Sequence, residues 1–211
     1  QLGDTVPYMG RALVVNLTPE TKFITIYYST SPSAAALQWL TPEQTAGKKS
    51  PFLFTQSQAI LARTWAPVQD SPGIRFTYSA TVHVPSGLMA VMSAENPQQK
   101  SADGVYHFKM PQPIPAYLLA LAVGDFVFKP LDKRTGVYAE PVTVDKAAWE
   151  FVDLPKMVDA AEKLYGPYAW GQYDVIVLPP SFPFGGMENP RVTFATPTIL
   201  AGDRSLTTLI A

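Results

Sequence analysis

The chain has 211 residues, 47% hydrophobic and only 16% charged, with 16 Lys+Arg against 17 Asp+Glu for a net charge of -1. That is a globular composition for one large domain or two smaller ones. The near-neutral charge, with no basic run longer than Lys48-Lys49, argues against nucleic acid or an anionic membrane as a partner. No apolar stretch approaches the roughly 20 residues of a membrane span, and the absence of cysteine excludes disulfides and every Cys-based nucleophile or metal site.

From Arg11 to Phe128 the pattern is one of short strands separated by Pro, Gly and Ser. Ala12 to Leu17, Lys22 to Thr30, Ile74 to Val84, Leu88 to Ser93, Val105 to Met110 and Ala116 to Val123 are rich in β-branched or aromatic residues, which predicts an antiparallel β domain. Gln56-Ser57-Gln58 ends another such run, and Ala59 to Trp65 is expected to turn into a short helical segment before Pro67. The prolines of Pro111-Gln112-Pro113-Ile114-Pro115 are expected at turns and at edges where they block pairing. His83 and His107 each alternate with apolar neighbours, which puts both imidazoles on the outer face. Neither has a second ligand at metal spacing on its own strand.

After Gly124 the period changes. Ala148, Phe151, Leu154, Val158, Ala161 and Tyr165 recur at steps of three or four, so Val142 to Tyr165 reads as helix divided by Pro155. Asp153 is placed to cap the second helix and Gly166 to end it. Tyr173 to Leu178 and Gly185 to Thr196 are expected as strands. A last helix is expected near Leu206, capped by Asp203 or Ser205, with Leu206, Leu209 and Ile210 on its buried face. The order of elements is that of a mixed β and α+β chain.

Within this frame, Gly185-Gly186-Met187-Glu188-Asn189 carries the chemistry. Two glycines let a foreign backbone come close and hydrogen-bond to main-chain groups, and the carboxylate of Glu188 can accept from an ammonium group. On these five residues alone, a Gly-Gly bend with a surface glutamate is the better account of the pattern.

The wider stretch resembles the gluzincin zinc aminopeptidases, in particular their leukotriene A4 hydrolase branch, in which Gly-Gly-Met-Glu-Asn is the exopeptidase motif. Further likeness runs through Ser33 to Thr45, Leu53 to Ala62, Pro113 to Gly124 and Gly166 to Pro180. The resemblance implies that residues 1–125 are the later part of a saddle-like antiparallel β N-terminal domain. Residues 126–211 are then the first part of a thermolysin-like catalytic domain. It further implies that Glu188 and Gln58 hold a peptide's free α-amino group, that the backbone of Gly185 and Gly186 aligns the peptide, and that Phe184, Met187 and Gln56 shape the first side-chain pocket. Ser57 and Pro183 stand in the same substrate-binding stretches.

In that family the next element carries His-Glu-x-x-His. The zinc ligands, the general base and the transition-state tyrosine are therefore expected after Ala211, and no catalytic or metal-ligating residue is expected within the chain, which reads as a fragment, inactive by itself. The expected activity of the whole is removal of N-terminal residues from peptides. The alternatives are lipid-epoxide hydrolysis, also found in this branch, and a scaffold that keeps the fold without the zinc. No signal peptide is visible in the first ten residues. The cytoplasm is the first expectation, with export left open because the resemblance implies residues before Gln1.

Overall fold

A computed structural model describes residues 1–210. The chain opens with a hairpin of β1 (Leu2–Val6) and β2 (Gly10–Leu13). The predicted strand at Lys22 to Thr30 does not form, and the one at Ala12 to Leu17 stops at Leu13. Phe23 and Tyr27 are 83% and 94% exposed. The physical reason is that β-propensity measures fit to a paired, half-buried surface, and these residues have no neighbouring strand among those described.

Next come β3 (Leu37–Leu40), β4 (Phe52–Thr55), β5 (Arg75–His83), β6 (Met89–Met92), β7 (Val105–Pro115) and β8 (Leu121–Gly124). A four-stranded antiparallel sheet runs β3-β4-β8-β6, and β5 pairs with β7. His83 and His107 are exposed, as their alternation predicts. The expected helix at Ala59 to Trp65 is a single 3-10 turn, Ala62–Thr64. Ala116 to Val123 divides into a 3-10 turn, Ala116–Leu118, followed by β8.

The proline run lies on a sheet edge, as one half of its prediction has it, but inside β7 rather than at a turn. Met110 faces Tyr78 and Ile114 faces Phe76, so Pro111, Gln112 and Pro113 bulge opposite Thr77. Among the described residues the outer edge of β7 has no partner strand, and missing N–H groups are tolerated at an edge or a bulge.

The remaining strands are β9 (Val127–Pro130), β10 (Thr135–Ala139), β11 (Tyr173–Val177), β12 (Gly186–Met187) and β13 (Val192–Ala195), ordered β12-β13-β11-β10-β9. The central three are parallel and both edges antiparallel. The parallel step from β10 to β11 needs a crossover, supplied by α1 (Val144–Glu150) and α2 (Leu154–Tyr165). Pro155 sits in the first turn of α2 and Gly166, at φ 94°, follows its last. Asp153 occupies the N-cap position but its carboxylate takes the Lys156 ammonium at 2.7 Å instead of capping.

The predicted last helix is one 3-10 turn, Thr207–Leu209, and Ala211 lies outside the described residues. Leu206 and Leu209 are 39% and 68% exposed, against expectation, while Ile210 is buried. So few residues cannot pay for helix nucleation without packing, and the Asp203 carboxylate accepts from Ser205 N rather than capping.

Period-two alternation divides the five-stranded sheet between two cores. Val137, Ala139, Val175 and Val177 pack with α1 and α2, whereas Tyr138, Ile176 and Phe194 join Phe52, Phe54, Met89 and Met110 in the core of the preceding sheets. Polar clamps close this seam. The buried Glu140 carboxylate accepts from Ala46 N at 2.8 Å and Gly47 N at 2.9 Å, and the Tyr138 hydroxyl donates to Pro97 O at 2.9 Å.

Removing the Glu140 carboxylate strands two N–H donors, so Glu140→Ala is expected to cost about 3 kcal/mol, and Glu140→Gln, which keeps one acceptor, about half of that. Urea midpoints of the three proteins check this. Equal midpoints for wild type and Glu140→Ala would show that the clamp contributes nothing.

Candidate functional site

The edge hairpin of the five-stranded sheet carries the Gly-Gly-Met-Glu-Asn motif. Met187 pairs with Phe194 and Gly186 with Ala195, and Gly185 O accepts from Thr196 N at 3.2 Å. The two glycines have different reasons to be there. A Cβ on Gly186 would stand 2.9 Å from Phe194 O, so the pairing itself excludes a side chain; a Cβ on Gly185 would meet nothing within 4 Å. Gly185 is thus bare toward open space immediately before the edge strand β12, where a second backbone can approach.

An aromatic chain ties this hairpin to the other predicted segment. Phe54 meets Phe182 edge-on at 5.4 Å between ring centroids, and Phe182 meets Phe184 at 5.8 Å. Phe182 is buried and Phe184 half exposed. Phe54 is the penultimate residue of β4, so Gln56-Ser57-Gln58 leaves its strand directly beyond this contact.

The predicted site residues divide into an exposed group and a buried pair, with Gln56 between them. Glu188, Gln58, Pro183, Phe184, Gly185 and Gly186 are exposed, and Gln56 is half-buried. Glu188 enters none of the ion pairs among the described residues. Gln56 Oε1 accepts from Gln58 N at 3.2 Å, which folds the Gln56 amide over its own loop. The peptide bond between Gln58 and Ala59 is cis.

Ser57 and Met187 are only 2% and 3% exposed. The Ser57 hydroxyl donates to Leu119 O at 3.3 Å and accepts from Trp65 Nε1 at 3.1 Å, which anchors the loop presenting Gln56 and Gln58. The Met187 side chain is part of the core.

Most of the predicted site residues lie at the surface. A cavity of about 330 Å³ lies by α2, lined by Leu154, Tyr165, Tyr168 and Ile210 among others, and a wider cleft runs along β2; neither includes a predicted site residue. Among the described residues no three His, Asp or Glu side chains converge on a metal position.

Two residues just past Glu188 stand out: Asn189, which the sequence places in the motif without a role of its own, and Arg191, which it passes over. Asn189 and Arg191 are buried, at 4% and 8% exposure, and Asn189 Nδ2 and Arg191 Nε have no hydrogen-bond partner among the described residues. The Asn-Pro dipeptide is a turn signal, but nothing local marks Arg191 for burial.

A Gly-Gly segment at an open sheet edge and a carboxylate that enters no ion pair among the described residues stand together on a mixed sheet that follows the antiparallel β region in the chain. Residues 11–118 match the Peptidase M1 N-terminal domain and residues 149–210 the Peptidase family M1 domain, and the chain belongs to that family. It is 46% identical to leukotriene A-4 hydrolase of Xenopus laevis, aligning over 100% of this chain and 36% of that protein. Human aminopeptidase B is 51% identical over 82% of this chain and 26% of its own length. The structure of leukotriene A4 hydrolase from Saccharomyces cerevisiae superposes with a TM-score of 0.87 at 36% identity, covering 100% of this chain and 33% of that one. The chain therefore spans about a third of the length of the relatives it matches.

Proposed function

We propose that the complete protein is a zinc aminopeptidase that removes residues from the free N-terminus of peptides, and that this chain supplies its substrate recognition. In this reading residues 1–125 belong to the N-terminal domain and residues 126–211 open the catalytic domain, with zinc held by residues outside 1–211. The observation that carries the proposal is the exposed, unpaired Glu188 carboxylate next to the open backbone of Gly185. An ammonium group on an extended peptide lying along β12 can donate to Glu188, and the Gln58 amide oxygen is a second, neutral acceptor. Reading the amino group fixes the cut one residue from the end.

Similarity to leukotriene A-4 hydrolase over the whole chain supports lipid-epoxide hydrolysis as a second activity. Both readings are tested on the complete protein with an aminoacyl amide, its N-acetylated partner and a lipid epoxide, before and after zinc chelation. The expected result is chelator-sensitive cleavage of the free amine and little of the acetylated partner. Equal cleavage of the two would defeat the amino-terminal reading. Epoxide opening without peptide cleavage would put the second reading first.

A further inference from the structure

We infer that Arg191 is a positioning residue for Glu188, holding the recognition hairpin against the sheets that carry Gln56 to Gln58; this rests on the proposed role of Glu188. The hairpin turns through Asn189-Pro190-Arg191-Val192, with Val192 N donating to Asn189 O at 3.2 Å. Arg191 occupies the third position with φ 69°. Proline second and a positive φ third is the type II pattern, which glycine satisfies without strain and arginine does not. The arginine is thus held at a position its backbone disfavours.

The side chain gives the reason. Its guanidinium is buried, and Nη2 donates to Gln112 Oε1 at 3.3 Å and lies 3.8 Å from Glu95 Oε1. Gln112 is the middle residue of the proline bulge in β7, and its Nε2 donates to Ala169 O at 3.0 Å. One amide therefore binds the loop before β11 and the turn before β13 together. The bulge that displaces Gln112 from the ladder is what presents it to them. On the far side of the turn, Arg191 O accepts from Asp174 N at 3.0 Å.

Glu188 lies between two fixed points, Met187 packed in the core and the Asn189–Val192 turn locked by Arg191. β7 contributes Met110 and Ile114 to the same core as Phe54 of β4. The Arg191–Gln112 contact thereby sets where the Glu188 carboxylate stands relative to Gln58. Burial of a charge is unfavourable by itself, so the contacts made by the Arg191 guanidinium have to offset its desolvation.

The test compares wild type, Glu188→Gln, Arg191→Gly, Arg191→Lys and Gln112→Ala in the complete protein. For each, kcat and KM are measured on the free amine and on its N-acetylated partner, together with the melting temperature and zinc content. Glycine relieves the turn while deleting the guanidinium, so Arg191→Gly separates backbone from side chain. It is expected to melt near wild type, keep its zinc, and lose about three- to ten-fold in free-amine preference, chiefly through KM. Arg191→Lys should restore part of the loss, and Gln112→Ala should reproduce it.

A merely structural role would lower the melting temperature and leave the preference intact. If Arg191→Gly does not fold, Gln112→Ala decides, because it lies far from Glu188 in sequence. Unchanged preference in the folded variants, with Glu188→Gln still losing it, overturns the inference and leaves the proposed function standing. No effect of Glu188→Gln removes the reading of the site, and the inference with it.

Discussion

Replacing Glu188 by alanine in the complete protein is expected to lower kcat/KM on substrates with a free amino terminus by roughly ten- to two-hundred-fold. The figure comes from a charge-assisted hydrogen bond worth about 1.5–3 kcal/mol, read as lost transition-state binding. Glu188 is exposed and enters no ion pair among the described residues, so the substitution breaks no ion pair seen there and folding should be little affected. The N-acetylated substrate should be cleaved as before, since it offers no ammonium to lose. Gln58→Ala should cost only several-fold, because a neutral amide acceptor contributes about 1 kcal/mol. Kinetics on the paired substrates, with zinc content measured in each variant, decide the point. An unchanged preference removes Glu188 from recognition, and loss of zinc would make it structural.

The second large effect concerns pH. Asp174 sits in β11, opposite Gly136 of β10 and Val192 of β13, and is 2% exposed. Burial pushes its carboxyl up to about 7, partly offset by the hydrogen bonds from Gln172 and from Gly136 N. No basic side chain pairs with it among the described residues. An acid whose pKa is higher folded than unfolded holds more protons in the native state, so stability falls as pH rises.

Below about pH 4 both states are protonated and there is no penalty. Between pH 4 and 7 the unfolded chain gives up its proton while the folded one keeps it, at about 1.4 kcal/mol per pH unit. Above 7 the penalty levels off at no more than about 4 kcal/mol. Asp174→Asn places an amide where the protonated acid stands and removes the titration. The variant should match wild type at pH 4 and exceed it by about 2–4 kcal/mol at pH 8.5, as urea midpoints across that range would show. Parallel pH profiles for the two proteins would mean that Asp174 is charged in the fold without penalty.

Features governed by neighbours in sequence were legible before the structure. The helix pair between Val142 and Tyr165, its break at Pro155, its stop at Gly166, the strand at Tyr173 and the outward histidines all result from local period and backbone preference. The five-residue motif is equally local, and so is the family it points to.

What failed was whatever needed a distant partner. Lys22 to Thr30 has strand composition but no strand beside it, and Leu206 to Ile210 has a helical pattern but too few residues to nucleate. The proline run reads as a turn or a blocked edge, and only with β5 set opposite it does it become the bulge that carries Gln112.

The candidate site divides along the same line. Its residue types, the glycines, Glu188 and Gln58, were determined by the sequence itself, because their chemistry is a property of single side chains and bare backbone. Their arrangement was decided by contacts across the fold. The Glu140 clamp joins residues 93 and 94 positions apart, and Arg191 meets Gln112 across 79. Only tertiary structure could bury Ser57 and Met187 while leaving Glu188 free. Burial depends on which surfaces the folded chain brings together, and no short stretch of sequence contains both surfaces.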